Sequence, residues 1–167
     1  MAEEKIDELN KAELPNVDRV SPETFHQDFR QEIARFCQEA QWAYAKRSYR
    51  DMQDRLLCIA AFLESLELDA SCCFVLWDRM SGMREVDRAF GGGRQGAAQY
   101  NLFDDAGKYI RDHHYMDPIP IDPAVAAFSP ALVALCRMVQ ADSIRLYETM
   151  MRAVYHSTLS DICVTRG

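Results

Sequence analysis

Two apolar stripes in the first half of the chain are out of register with each other. Their members recur at helical spacing: Phe25, Phe29, Ile33, Phe36 and Ala40 in the first stripe, and Tyr49, Met52, Leu56, Ile59, Leu63 and Leu66 in the second. At about 100° per residue, the two stripes would point roughly 140° apart on one continuous helix. One straight helix could not bury both against the same surface. We therefore predict that the chain reverses near Lys46–Ser48 and that two separate helices share one core.

Start and stop signals divide the rest of the chain into further helices. Ser21-Pro22-Glu23 and Ser129-Pro130 each combine a capping residue with a proline at the first helical position. The glycines of residues 91–96 end the third helix, which Gly82 already weakens locally, and the prolines of residues 118–123 exclude helix there. With no strand pattern of useful length, the chain is predicted to be all-α: a single-domain bundle of five or six helices with a long C-terminal helix.

The length and net charge of the chain limit the number of domains and the classes of partner that we expect. A chain of 167 residues favours one domain, which we place at residues 21–167 after a loosely held acidic segment at residues 1–20. The net charge of -7 disfavours broad binding to nucleic acid, although it allows a small basic patch. Because the sequence carries neither a signal-peptide pattern nor a membrane span, we expect a cytoplasmic protein in the reducing interior of the cell.

The six cysteines fit a reducing compartment. They lie in helix-like stretches and form no Cys-x-x-Cys pair, so the sequence favours neither a structural zinc site nor a thioredoxin-type pair. We interpret them as small buried apolar side chains. Because Cys72 and Cys73 are adjacent, we expect that they do not both face the core. No cofactor is expected.

The densest group of possible metal ligands is Asp112-His113-His114 with Asp117 nearby. Imidazole and carboxylate groups could share a divalent ion, and His113, His114 and Asp117 are the candidate ligands of a metal-dependent enzyme. The structural alternative is a helix C-terminus at which the histidines meet free carbonyl groups. The histidines are accompanied by no nucleophile-elbow motif and by no recognisable catalytic triad, so the sequence disfavours an enzyme without excluding one.

Arginines near the glycine-rich segment suggest a phosphate contact. Arg84, Arg88 and Arg94 could face the backbone of a nucleic acid, as in a helical nucleoprotein or coat-type subunit that assembles along it. A second basic cluster lies at the predicted reversal, Lys46–Arg50, either as a solvated turn or as a contact for an acidic partner.

The leading functional hypothesis is a non-enzymatic protein that acts through protein–protein contact, with itself as the favoured partner in a homo-oligomer. Leu57 and Phe62 lie off the main stripe of the second helix, and Met151 and Tyr155 lie beside that of the last helix. One small bundle need not bury all four, and exposed apolar area often marks an interface.

Overall fold

The computed structural model describes residues 22–91 and 97–166, with side chains described for residues 27–88, 105–156, 158 and 159. These residues form six helices and no strand: α1 (Pro22–Ala45), α2 (Tyr49–Ser65), α3 (Ser71–Gly91), α4 (Ala97–Asp112), α5 (Pro123–Phe128) and α6 (Pro130–Arg166). The prediction of an all-α bundle with a long C-terminal helix is confirmed. The expected acidic segment at residues 1–20 lies outside the described residues.

The chain forms two compact units, Met1–Glu32 and Ile33–Gly167. In the first unit the described part is the beginning of α1, where Arg30 Nη1 donates to Gln27 Oε1 at 3.2 Å. Phe29 is half-buried there, and Phe25 lies outside the described side chains. The buried hydrophobic core lies in the second unit.

A three-residue turn, Lys46–Ser48, separates α1 from α2. Arg47 has a φ of 59°, the left-handed conformation that commonly ends a helix. The N–H of Ser48 then donates to the carbonyl of Ala43 at 2.8 Å, which satisfies one of the last carbonyls of α1. The helix therefore stops here, and the chain changes direction.

Contacts between α1 and α2 show that the two helices run antiparallel. Arg55 Nε donates to Glu39 Oε2 at 2.9 Å, and the rings of Phe36 and Phe62 lie 5.8 Å apart. Residues farther before the turn thus meet residues farther after it. The predicted reversal at Lys46–Ser48 is confirmed.

Members of both stripes from Ile33 onward enter one core, which also takes side chains from α3 and α6. Fully buried members of the core include Ile33, Ala40, Met52, Leu56, Ile59, Leu63, Leu76, Met80, Leu132, Leu135 and Val139. Burying one large aliphatic side chain contributes about 1.5–3 kcal/mol, so the two stripes together are a dominant source of stability. A second, smaller cluster joins α4 to α6 through Ile110, Tyr115 and Met150.

Side-chain caps fix the start of the last two helices. Asp122 Oδ2 accepts a hydrogen bond from the N–H of Ala124 at 3.1 Å and so caps α5. Ser129 Oγ accepts from the N–H of Leu132 at 3.2 Å, as its sequence position before Pro130 predicted. Within residues 22–91 and 97–166, no helix combines the length and the hydropathy needed to span a bilayer.

The cysteines correct one expectation. Cys72 and Cys73 are both buried, at 2% and 1% exposure, so the prediction that only one faces the core is wrong. The reason is that the first turn of α3 is covered by more than one helix: the thiol of Cys72 contacts Cys136 of α6, and Cys37 of α1 lies close to it. Burial raises the pKa of Cys37 to about 12, which fits an apolar role.

Candidate functional site

A cavity of about 860 Å³ opens beside the α1–α2 turn, between the start of α2, α3 and the middle of α6. Its apolar wall is formed by Met83 and Val86 of α3 together with Met138, Leu146 and Met150 of α6. This volume lies within the range of roughly 300–1,000 Å³ that small-molecule sites occupy. Three methionines on the wall give it a surface that can adjust to the shape of an occupant.

One side of the cavity is held together by a hydrogen bond between distant parts of the chain. The hydroxyl of Tyr44, at the end of α1, donates to the carboxylate of Asp142 on α6. That carboxylate also accepts from Arg145 Nη2. Burial, and next the hydrogen bond to Asp142, raise the pKa of the Tyr44 hydroxyl, so it stays a donor in ordinary conditions.

Tyr49, the first residue of α2, lines the same cavity. Tyr49 is 8% exposed, and its ring lies edge-on to that of Tyr44 at 6.0 Å. No residue in the described part of the chain forms a hydrogen bond with its hydroxyl. Burial raises its pKa first, and Asp87 and Asp142 add to that effect against the opposing Arg47. The surrounding charges therefore make the potential at this hydroxyl negative on balance.

Two ion pairs lie on the rim of the cavity, and in both the carboxylate is the more buried partner. Arg47 Nη1 lies 3.3 Å from Asp87 Oδ1, with side chains 74% and 40% exposed. In the pair of Arg145 with Asp142, the exposed fractions are 79% and 26%. All four charged side chains line the cavity, so its charged groups balance at two arginines and two carboxylates.

A second, smaller pocket of about 430 Å³ adjoins the turn from the other side. It is lined by Arg47, Ser48, Tyr49, Arg50, Asp51, Arg84, Asp87 and Arg88. The structure thus brings the predicted Arg84 and Arg88 together with the basic cluster of the reversal. Four arginines against two aspartates leave a basic pocket on an acidic chain. The third predicted arginine, Arg94, lies outside the described residues.

An apolar patch lies along the seam between α2 and α3. Gln53 Nε2 donates to the carbonyl of Trp77 at 3.0 Å and to Ser81 Oγ at 2.8 Å, which fixes the register of the two antiparallel helices. Leu57 follows Gln53 by one turn, and Phe74 precedes Trp77 by one turn, so these side chains lie at one level. Leu57, Phe74 and Trp77 are 47%, 48% and 38% exposed. We call these three residues the seam patch.

The other predicted interface residues are divided between surface and interior. Tyr155 on α6 is 62% exposed. Phe62 is half-buried against the core, and Met151 is half-buried against the second cluster. Trp42 on α1 is 58% exposed.

The histidine group forms local contacts at the end of α4. His113 Nδ1 lies 3.0 Å from the carbonyl of Tyr109, and its ring stacks on that of Tyr109 at 4.0 Å. His114 Nδ1 lies 3.2 Å from Asp117 Oδ2, on the exposed surface. Across the described side chains, no group of three or more His, Cys, Asp and Glu residues is arranged to hold a metal ion.

Sequence reasoning did not identify the polar residues of the cavity. Tyr49 was assigned to the core by its stripe, and Tyr44, one turn beyond Ala40, was not assigned to a stripe. Nothing local marks the contact of Asp142 with Tyr44, which lies 98 residues away. Phe74 and Trp77 are exposed on a helix that is otherwise largely buried, and only the register of α2 on α3 places them level with Leu57.

Comparison with known proteins gave no match: no family model, no curated protein and no solved structure matches this chain.

Proposed function

We propose that this protein acts through protein–protein contact and that its partner is a second copy of the same chain. The observation that carries the proposal is the seam patch, which lies between one basic and one acidic end of the α2–α3 face. In this reading, two copies pair face to face about a twofold axis, with α2 of one copy antiparallel to α2 of the other.

The apolar part of the argument is the seam patch itself. Leu57 lies at the midpoint of α2, and Phe74 and Trp77 lie level with it on α3. Two large aromatic side chains beside a leucine form the kind of desolvated centre from which interfaces draw most of their binding energy. Because the patch is at the middle of α2, a twofold axis through it places each patch on its counterpart.

The charges at the two ends of this face support a second copy as the occupant. The basic pocket, with Arg50 and Arg84, lies where α2 begins and α3 approaches its end. At the opposite end, Glu64, Glu67 and Asp69 are exposed. An antiparallel pairing therefore sets the basic end of each copy against the acidic end of the other, so the attraction between opposite charges occurs at both ends of the interface.

A charge-swap experiment tests this arrangement. One variant carries Arg50→Glu and Arg84→Glu, and a second carries Glu64→Arg and Glu67→Arg; Asp69 is retained because it accepts a hydrogen bond from the N–H of Ser71. We expect the wild type to dimerise reversibly in the micromolar range in sedimentation velocity. Each variant alone should lose dimerisation, because both of its ends then carry the same charge, and an equimolar mixture should restore it.

Substitutions within the seam patch provide a second test of dimerisation, with a matched control. Trp77→Ser should weaken dimerisation by about tenfold or more, as expected for an aromatic residue at the centre of an interface. Tyr155→Ser is the matched control, since Tyr155 is an exposed aromatic residue on another helix. A wild type that stays monomeric, or a mixture of the swapped variants that does not assemble, would show that the pairing is wrong.

A second candidate function rests on the basic pocket alone. Arg47, Arg50, Arg84 and Arg88 converge there, and four guanidinium groups suit contact with the phosphates of a single-stranded nucleic acid. Single-stranded RNA should then bind with an affinity that falls steeply as salt rises. The variant with Arg50→Glu and Arg84→Glu should lose this binding. The Glu64→Arg, Glu67→Arg variant should keep it, which separates this function from self-association.

For location, we propose the cytoplasm. Each of the five cysteines with a described side chain is a free thiol, and four of these are buried. Unpaired thiols are typical of a reducing compartment.

A further inference from the structure

We propose that Cys72 of α3 and Cys136 of α6 are a redox-active pair, which a small peroxide converts into a reversible disulfide that links the two helices. We call these two residues the thiol pair. Neither belongs to the seam patch, so the proposal does not depend on self-association.

The thiol pair belongs to a group of four buried cysteines from three helices. Cys37 lies on α1, Cys72 and Cys73 lie in the first turn of α3, and Cys136 lies on α6; each is at most 2% exposed. The thiols of Cys73 and Cys136 both form hydrogen bonds with that of Cys72. Cys37 is linked to Cys72 only through the interaction of charge. Cys72 is therefore the centre of the group.

Of the two thiols in contact with Cys72, that of Cys136 is the one suited to a disulfide. Consecutive Cα atoms lie about 3.8 Å apart, below the range of about 4.4–6.8 Å that disulfides usually span. A bond between Cys72 and Cys73 would therefore distort the first turn of α3. Cys136 approaches from a different helix and is free of this restriction.

A buried guanidinium group near the thiol pair indicates that negative charge is needed there. Arg79 lies two turns after Cys72 on the same face of α3 and is 4% exposed. Its Nη2 donates to the carbonyls of His114 and Asp117, but its Nη1 is buried and has no hydrogen-bond partner among the described residues. Nor does any carboxylate of that part of the chain form an ion pair with Arg79. A buried charge without a counter-ion is costly, and a buried unpaired polar atom requires an explanation.

A thiolate in the thiol pair would provide this counter-charge. Burial lowers the pKa of Arg79, and negative charge at Asp117 and next at Cys136 opposes that effect. Hydrogen bonds first from Cys136 and then from Cys73 lower the pKa of Cys72. The contact with Cys72 raises the pKa of Cys136 in turn. Cys72 is therefore the thiolate, at the start of a helix where negative charge is favoured, and Cys136 keeps its proton.

The reaction is complete with a peroxide as the oxidant. The Cys72 thiolate attacks one oxygen of hydrogen peroxide, so that an S–O bond forms, the O–O bond breaks and hydroxide leaves. The Cys136 sulfur then attacks the sulfenic acid of Cys72: the S–S bond forms, the S–O bond breaks, and the hydroxyl group leaves with the thiol proton as water. The two sulfurs together lose the electron pair that the peroxide gains. Because both sulfurs are buried, the oxidant must be small, and a cellular dithiol reductant restores the pair.

Mass spectrometry of the full chain after treatment with hydrogen peroxide tests the proposal. Remaining thiols are alkylated under denaturing conditions, and unreduced proteolytic peptides then identify the linked cysteines. We expect a disulfide between Cys72 and Cys136 that dithiothreitol removes. Cys58 is less buried than either and serves as the internal reference, which should remain a thiol while the disulfide forms. A wild type that forms no disulfide, or one that joins other cysteines, would overturn the proposal.

Alanine substitutions separate the roles of the cysteines. Cys72→Ala should abolish the disulfide. Cys136→Ala should retain the first step only, so that the product gains oxygen at Cys72 and contains no disulfide. Cys73→Ala is the matched control, since Cys73 is an equally buried neighbour, and it should still form the disulfide. Circular dichroism melting verifies that each variant is folded, and the wild-type peptide map does not depend on any of them. Loss of the disulfide in a folded Cys73→Ala protein would refute the assignment.

Replacement of Arg79 tests the role of the buried charge. Arg79→Met fills similar space without a charge, and we expect it to slow disulfide formation by about tenfold or more, because a thiol is far less reactive than a thiolate. Arg84→Met, on the same helix but in the wall of the smaller pocket, is the matched control and should react at the wild-type rate. Equal rates for all three proteins would show that Arg79 does not stabilise the thiolate and would contradict the proposal.

Discussion

Replacing Gly82 with alanine tests why α3 carries a glycine in its interior. At an exposed helical position this change would stabilise the fold by about 0.5–1 kcal/mol, because glycine is the poorer helix former. Here an added Cβ would lie 2.1 Å from Tyr115 Cε2, 2.2 Å from its hydroxyl oxygen and 2.4 Å from Cζ. Non-bonded carbon atoms rest about 3.5 Å apart, so the ring or the helix must shift by about 1 Å or more.

Moving the Tyr115 ring aside would cost free energy because the ring is closely packed. It is 2% exposed and packs in the second cluster, so its ring cannot swing into solvent. Overpacking of this kind costs about 1–3 kcal/mol, and a rigid ring places it at the upper end. After the propensity gain is subtracted, we expect Gly82→Ala to lose about 2 kcal/mol, a fall in melting temperature of roughly 4–8 °C for a chain of this size.

Gly107 on α4 is the matched control. A Cβ there would lie 2.2 Å from the terminal methyl of Met151, the far end of a flexible side chain that can adopt another rotamer. Gly107→Ala should therefore remain within about 1 kcal/mol of the wild type. Urea denaturation followed by circular dichroism measures both variants. The reasoning would be refuted if Gly82→Ala were as stable as the wild type. It would also be refuted if Gly82→Ala lost as much stability in a Tyr115→Ala background as in the wild type, because without the ring the alanine should stabilise the helix.

Three further substitutions probe the contacts that hold the helices in place. Ser129→Ala removes the oxygen that accepts from the N–H of Leu132 and should cost about 1 kcal/mol in urea denaturation, while Ser129→Thr should retain most of it. Tyr44→Phe should cost about 1–2 kcal/mol near neutral pH by removing the donor to Asp142. Because the pKa of Tyr44 is raised, its stabilising effect is complete below pH 10, and the gap to Tyr44→Phe should close as alkaline titration proceeds. Arg79 is 4% exposed and donates from Nη2 to backbone carbonyls 3.4 and 2.6 Å away, so Arg79→Ala should lose about 2–4 kcal/mol in thermal melts and Arg79→Met much less, since its chain refills the space.

The helices and the reversal could be predicted because both depend on local pattern. Helical spacing of apolar residues predicted which face of α1 and α2 is buried, and the change of phase between the stripes predicted the turn at Lys46–Ser48. Ser129 before Pro130 predicted the start of α6 for the same reason, since a cap acts on N–H groups two or three residues away. These signals lie within a few residues of the structure that they specify.

The close approach at Gly82 could not be predicted in this way. Sequence alone showed only a residue that weakens a helix, whereas the structure supplies the compensation: the ring of Tyr115 occupies the space where a side chain would be. The same limit explains Cys72 and Cys73. A helical wheel assigns one buried face to a helix, but it does not reveal that the start of α3 is covered on more than one side.

One side of the cavity follows from local sequence pattern, and the opposite side follows from the packing of a distant helix. Only the first side could be predicted from the sequence. The predicted reversal places Tyr44 and Tyr49 on either side of a three-residue turn, close enough for their rings to meet. The opposite wall comes from α6, and the pairing of Tyr44 with Asp142 depends on how far α6 is shifted along α1, a quantity that helical periodicity leaves free. A shift of α6 by one turn would keep its buried face buried but would move Asp142 about 5.4 Å, out of reach of the Tyr44 hydroxyl. The contact between Tyr44 and Asp142, and with it one side of the cavity, therefore forms only in the register of α6 that the structure has.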